Sequence, residues 1–254
     1  MKILILGSTG MLGSMVWKYL SKQKGLNITA PTREMLDSVH YDEYDYIINC
    51  IGIIKQKLLN PKEAILTNSI LPYMLKEGSS QAKIIQIATD CVFSGKRGHY
   101  TETDEHDALD IYGKTKSLGE VNASNFYNVR TSIVGFDKNK VSLLSWFLSQ
   151  KKYAHIKGYT NHYWNGITTL EFAKLCYEII IGNRIIPNFI HIVSKDIVSK
   201  YELLKIFAEK FNRKDIYIEK CRADTWVDRT LDTVYDKLPL TIEQMIEELA
   251  EYEK

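Results

Sequence analysis

Residues 3–6 are apolar without a break. A run of this kind, with no polar alternation, suits a strand covered on both faces of a parallel sheet. Gly7 ends it. Met11, Leu12, Met15, Val16, Tyr19 and Leu20 then recur at helical spacing over residues 11–22. Short apolar runs return at 27–30, 46–51, 83–88, 126–129 and 189–193, with helical patterns between most of them, clearest over 61–76 and 111–122. Strand and helix in alternation predict an α/β fold, a doubly wound parallel sheet with helices on both faces. Only about a dozen residues separate Pro31 from Asp45, close to the minimum for a parallel return. A short helical turn, or none, is predicted there.

Beyond Gly135 the alternation weakens. Residues 142–150 read as a helix. The pairs Thr168/Glu171, Ser199/Glu202 and Thr241/Gln244 have capping-box spacing, and they open further helices, the first two reaching about Ile181 and Phe211. The pattern predicts a first domain over residues 1–150, completed by the strand near 189–193, and a smaller helix-rich C-terminal part over 151–254.

Composition narrows the function classes. The 254 residues carry 33 Lys+Arg and 31 Asp+Glu, a net charge of +2, without the dense basic face that nucleic-acid binding needs. The cysteines Cys50, Cys91, Cys176 and Cys221 form no CxxC pair and the six histidines no HxxxH, so no metal site and no disulfide framework are expected. The N-terminal apolar run is too short for a signal peptide. No window of roughly 18 apolar residues offers a membrane span, so no membrane partner and a cytoplasmic setting are expected.

The chemistry begins at Gly7-Ser8-Thr9-Gly10-Met11-Leu12-Gly13. A glycine-rich turn between a strand and a helix lets a pyrophosphate approach the backbone, and the helix N-terminus supplies N–H groups and positive potential. The strand that follows ends Ala30-Pro31-Thr32-Arg33 and lacks the acid that would bind a ribose 2′-hydroxyl. Arg33 instead suits a 2′-phosphate, which predicts NADPH as cofactor, with NADH the second candidate. Tyr112 and Lys116 form YxxxK. On a helix they share a face, so the Lys116 ammonium is expected near the Tyr112 hydroxyl, lowering its pKa towards working pH and making it a general acid/base. The run 83–88 ends in Thr89, whose hydroxyl would bind the carbonyl oxygen that Tyr112 protonates.

The segments GSTGMLG, ATDCVFSG, YTETD, YGKTKSLGE and VRTSIVG stand in order and at suitable spacing. On them the chain resembles the extended short-chain dehydrogenase/reductase superfamily, and within it the dTDP-4-dehydrorhamnose reductase family, most strongly over residues 1–135. The resemblance implies a Rossmann domain with a small substrate domain, and reduction of a 4-keto group on a nucleotide-linked deoxysugar for cell-surface polysaccharide. It makes Thr89, Tyr112 and Lys116 the catalytic set, with Lys116 also on the nicotinamide ribose. It puts Gly7, Ser8, Thr9, Gly10, Met11 and Leu12 on the pyrophosphate, and Asn49, Cys50, Ile51 and Gly52 beside the adenosine. Ala88 and Thr89, with Ile133 and Val134, fall near the nicotinamide. Asp90, Cys91, Trp164 and Arg229, with Arg222 the weaker arginine, fall on the substrate side. A homodimer is implied by resemblance alone.

Two residues depart from the family's usual TDYVFDG: Cys91 replaces its tyrosine and Ser94 its aspartate. A cysteine at that offset serves as an epimerisation acid/base in the related GDP-fucose synthases, so an epimerase/reductase is one alternative. A non-catalytic NAD(P)-binding regulatory subunit is another, since fold alone does not establish catalysis.

Overall fold

The computed structural model describes the backbone of residues 1–254 and every side chain except those of Asp37 and Lys57. Along the chain the elements are β1 (Lys2–Leu6), α1 (Met11–Leu20), β2 (Asn27–Thr29), β3 (Tyr46–Asn49), α2 (Pro61–Ala64), α3 (Leu71–Glu77), β4 (Lys83–Ile87), α4 (Ile111–Leu118), β5 (Phe126–Arg130), β6 (Ile133–Val134), α5 (Leu143–Leu148), β7 (His155–Tyr159), β8 (His162–Trp164), β9 (Ile167–Thr168), α6 (Thr169–Ile180), β10 (Phe189–His191), β11 (Val198–Ser199), α7 (Lys200–Lys210), β12 (Tyr217–Cys221), β13 (Val227–Asp228) and α8 (Ile242–Tyr252). A π-helical segment, Ile65–Ile70, joins α2 to α3. The stretch between β2 and β3 holds only 3₁₀ turns, at Arg33–Ser38 and Tyr41–Glu43, in keeping with its length.

The chain divides into two compact units. The first comprises residues 1–93, 105–130 and 170–190. Its sheet has the order β10-β5-β4-β3-β1-β2, and the pairs β2–β1, β1–β3, β3–β4 and β4–β5 are all parallel. The strands from Ile3 to Leu6, and Ile47, Ile48, Ile84 and Ile85, have no exposed surface. Alternate residues serve opposite faces. Leu4, Leu6, Ile47 and Ile84 pack with Leu75 of α3, Val121 and Phe126. The other face carries α1 and α6, which meet edge to face at Tyr19 and Tyr177, 6.4 Å between ring centroids. The Tyr46 hydroxyl donates to Ile179 O of α6 at 3.2 Å.

The second unit comprises residues 94–104, 131–169 and 191–254. It contains α5, α7 and α8, with the small sheets β11-β8-β13, β12-β7 and β6-β9. The capping boxes at Ser199/Glu202 and Thr241/Gln244 are both formed. Buried amides pin its loops. Asn165 donates to Leu231 O (2.7 Å) and accepts from Leu231 N. Glu102 accepts from His191 N, Thr233 Oγ1 and Val234 N.

Three expectations change. No single boundary at 150 separates the units, because residues 94–104 and 131–150 cluster with the second. That unit is built from short strands as well as helices. Its strands are two to five residues long, too short for periodicity to register. The helix opening at Ile111 stops at Leu118, where Gly119 lets the backbone turn against Asn68. In the loop before α4, His106 packs edge to face on Phe93 and bonds Ser117 Oγ at 2.7 Å.

Arg130, at the end of β5, makes a bidentate pair with Glu120 at 2.7–3.0 Å, each side chain 5% exposed or less. Removing one partner strands a buried charge. Glu120→Ala should lower unfolding stability by about 3–5 kcal/mol, read as a shift of the urea midpoint at unchanged slope.

Candidate active site

In the first unit the chain leaves β1 for β2 on one side and returns to β3 on the other. A sheet that reverses direction in this way opens a crevice at the carboxyl ends of its strands. The register places Leu6, Asn49 and Gln86 level with one another. The segments that follow, from Gly7, Cys50 and Ala88, therefore leave the sheet side by side.

The first segment is the glycine turn. Gly7 has φ +79°, a conformation that L side chains rarely adopt. A Cβ on Gly13 would overlap the Gly7 carbonyl, so α1 sits directly on the turn. Gly10 is the N-cap of α1 and brings no side-chain acceptor. The first N–H groups of a ten-residue helix thus face outward over a glycine floor, the donor set that suits a pyrophosphate. On this observation the turn fits a dinucleotide. Arg33 lies exposed at the start of the 3₁₀ turn after β2.

The second segment, Cys50–Gly52, is held by buried Asn49. Asn49 donates to Gln86 Oε1 (2.7 Å) and accepts from Ile51 N. Burial pushes the Cys50 thiol up to about 12, which makes it an inert filler at neutral pH. Gly52 lies close to Lys116 Nζ and to Asn68. Asn68 was not singled out by the sequence reading. It projects from the π-helical segment, accepts from Ile53 N (2.9 Å) and donates to Ile53 O and Thr115 Oγ1 (3.0 and 3.2 Å). A polar residue buried within an apolar helical run was the available signal.

The third segment carries Thr89, Asp90 and Cys91. Thr89 caps a 3₁₀ turn, its Oγ1 accepting from Cys91 N (3.2 Å) and donating to Asp90 Oδ1 (3.1 Å). Its side chain lies close enough to the Tyr112 phenol to act on its proton. Asp110 caps α4 through Gly113 N, and a Cβ on Gly113 would overlap Cys91 O. The helix with Tyr112 therefore rests on the turn with Thr89.

The electrostatics differ from the sequence expectation. Lys116 Nζ donates to Ile87 O at 2.7 Å. Burial, reinforced by Cys91, Asp90 and Asp110 and opposed by the Thr89 side chain, drives the Tyr112 phenol well above its ordinary range. Lys116 is itself lowered to about 8, first by burial, against the pull of Glu120 and Cys50. Tyr112 is thus held as a protonated acid rather than tuned towards phenolate. The YxxxK spacing predicts a shared face correctly, but which acceptor the flexible amine reaches depends on the neighbouring strand.

In the second unit, Ile133 and Val134 form β6 beside β9, Trp164 ends β8, and Arg229 follows β13 with its Cγ against Gly95. The same unit has a cavity of about 370 Å³ lined by Lys157, Tyr159, His162, Arg222, Asp224 and Thr225, among others. Buried Asn161 fixes its rim. Asn161 donates to Ala223 O and accepts from Ala223 N, both at 2.9 Å. Among the described residues no group of three or more His, Cys, Asp and Glu is placed to hold a metal ion, and no helix is long and apolar enough to cross a membrane.

The family model described as the RmlD substrate binding domain matches residues 62–230. The chain belongs to that family. The spore coat polysaccharide biosynthesis protein SpsK of Bacillus subtilis (strain 168) is 33% identical over 134 residues, covering 47% of each chain, so the match spans about half the length of that relative. Methionine adenosyltransferase 2 subunit beta of Rattus norvegicus is 25% identical over 242 residues, covering 83% of this chain and 72% of that one. The structure of dTDP-4-dehydrorhamnose reductase from Bacillus anthracis str. Ames in complex with NADP superposes with a TM-score of 0.80 at 17% identity, covering 100% of this chain and 99% of that one. The family's fold, a parallel Rossmann sheet flanked by helices, is the fold of the first unit.

Lys116 holds its proton to about pH 10.5 in the unfolded chain and to about pH 8 in the folded one. Between those values the unfolded state binds more protons, so stability rises with pH, whereas below pH 8 the burial cost is present in full. Lys116→Met should therefore stabilise the cofactor-free protein at pH 7. That gain should shrink by up to about 1.4 kcal/mol per pH unit above pH 8. Urea unfolding at neutral and alkaline pH measures it, and a gain that does not change with pH would refute the lowered pKa.

Proposed function

We propose that this chain is an NADPH-dependent reductase of a nucleotide-linked 4-keto-deoxysugar, serving the synthesis of a cell-surface polysaccharide sugar. The observation that carries the reading is the packing of the Tyr112 helix on the Thr89 turn, with Gly113 directly against Cys91 O, in the unit that also offers an uncapped helix N-terminus over a glycine turn. When bound, the nicotinamide supplies a hydride to the keto carbon. Tyr112 gives its hydroxyl proton to the keto oxygen, and the Thr89 hydroxyl, which donates to Asp90 Oδ1 without substrate, would turn to donate to the same oxygen. The phenolate left on Tyr112 is re-protonated from water. Its raised pKa favours that sequence, since an acid that must donate is best kept protonated until the oxygen gains charge.

Lys116 would hold the nicotinamide ribose hydroxyls, with Ala88, Ile133 and Val134 near the ring. Gly7, Ser8, Thr9, Gly10, Met11 and Leu12 would hold the pyrophosphate, Asn49–Gly52 the adenosine side and Arg33 a 2′-phosphate. The neighbour's printed complex with NADP supports the choice of NADPH, with NADH the weaker candidate. Asp90, Cys91, Trp164 and Arg229 would face the sugar nucleotide. SpsK's printed role in spore coat polysaccharide supports the biosynthetic setting.

The similarity to methionine adenosyltransferase 2 subunit beta favours one second reading, a dinucleotide-binding subunit without turnover. A panel of nucleotide-linked 4-keto sugars separates the two by loss of NADPH absorbance. Turnover is expected, and Tyr112→Phe should lower kcat by about 10²–10⁴-fold while leaving NADPH binding unchanged. No turnover with any sugar, despite tight cofactor binding, would support the binding subunit. NADPH should bind more tightly than NADH, and Arg33→Ala should remove the difference. Tighter NADH binding, indifferent to Arg33→Ala, would overturn the cofactor choice.

A further inference from the structure

Behind the Tyr112 helix lies a cluster of titratable groups that the proposed chemistry does not use. His106 stands in the loop before α4, its side chain 21% exposed. Three elements close on it. Phe93, which ends the turn that begins at Thr89, meets the imidazole edge to face at 5.5 Å. Ser117, the neighbour of Lys116 on α4, places its Oγ 2.7 Å from Nδ1. Glu120, just beyond α4, holds its Oε2 3.8 Å from Nε2. That carboxylate is already engaged at both oxygens by Arg130, at 2.7–3.0 Å. Arg130 follows Val129, whose carbonyl accepts from Ala88 N, one residue before Thr89. The imidazole therefore faces the helix of Tyr112 and Lys116, the turn of Thr89 and the ion pair that ends the strand beside them.

We propose that His106 is a positioning residue of the dinucleotide site: uncharged, it holds the Tyr112 helix against the Thr89 turn, and on taking up a proton it loosens that hold and weakens cofactor binding. The proposal rests on the reading that Lys116 holds the nicotinamide ribose. Burial keeps the imidazole below its ordinary range, opposed by Glu120 and by the adjacent Asp107 and assisted by Arg130. The ring is therefore neutral at neutral pH. A neutral imidazole carries a single N–H, and at 3.8 Å it makes no hydrogen bond to Glu120. The imidazolium donates at both nitrogens. Its Nε2–H then competes with Arg130 for Glu120, and its Nδ1–H leaves the Ser117 hydroxyl only the role of acceptor. Both changes pull on the last turn of α4, where Lys116 sits. Tyr112, raised far above neutrality, and Lys116, at about 8, both keep their protons as the pH falls below 7. A loss of binding on mild acidification must then arise in another group of the chain, and His106 is packed on this helix.

Calorimetric titration with NADP⁺, the acid-stable oxidised cofactor, at about pH 7.5 and about pH 5.5 spans the range in which histidine changes charge. Acidification should weaken binding to the wild-type chain about fivefold more than binding to His106→Asn. Asparagine can still meet Ser117 but does not titrate, and the ligand's own 2′-phosphate titrates equally in both. Linkage supplies a second readout that needs no variant. Saturating NADP⁺ should move the His106 titration, followed by its imidazole NMR signal, to lower pH by the same factor. In Ser117→Ala the imidazole should still titrate, with less of that movement. An imidazole that only fills space would change stability without this coupling. Equal pH dependence in wild type and His106→Asn, or a His106 titration that NADP⁺ leaves in place, would overturn the proposal and leave the cofactor reading intact. No binding of NADP⁺ at either pH would overturn both.

Discussion

Around the site, backbone lies directly on backbone. The first turn of α1 rests on the Gly7 carbonyl through Gly13. The helix α4 rests on the Cys91 carbonyl through Gly113 and on the Asn68 carbonyl through Gly119. At each contact a Cβ would overlap an oxygen. These approaches fix the height of two helix N-termini above the sheet, and everything chemical follows from that height. The N–H groups of α1 stand free because Gly10 brings no cap of its own. Tyr112, the second residue of α4, is set down beside the Thr89 turn. A side chain at any of the three positions would lift a helix away from its partner, and rigid packing of the remaining core would pass the shift on.

Burial then decides the electrostatics. The phenol of Tyr112 and the amine of Lys116 lie four residues apart on one face of α4, yet their pKa values move in opposite directions. Desolvation disfavours the charged form of each, raising the phenol and lowering the amine. The pair is thereby biased towards neutrality, with the proton on tyrosine and an ammonium that titrates near pH 8. Asn68 and the π-helical segment belong to the same arrangement. The segment turns a polar amide inward, where it satisfies both backbone groups of Ile53 and braces Thr115.

In the second unit polar clamps tie the loops around an apolar core that includes Leu144, Phe147, Leu204, Phe207, Ile246 and Leu249. Asn161, Asn165 and Glu102 each satisfy two or three backbone or hydroxyl groups of distant loops. Short strands bury little area, so a loop is ordered here by satisfying its N–H and C=O groups. The rim of the Arg222 cavity is rigid for that reason.

The sequence by itself determined the parallel sheet, the glycine turn, the Ser199 and Thr241 caps and the shared helix face of Tyr112 and Lys116, because each is a local pattern. Unbroken apolar runs, fixed glycine spacing and i,i+4 pairs are set by neighbours a few residues away. Only the tertiary structure decided that Lys116 bonds Ile87 O, that Asn68 enters the site, that Glu120 pairs with Arg130 and that residues 94–104 and 131–150 leave the first unit. Those outcomes depend on which backbone carbonyl or charge another strand brings within about 3 Å of a side chain. Spacing along the chain carries no record of that distance.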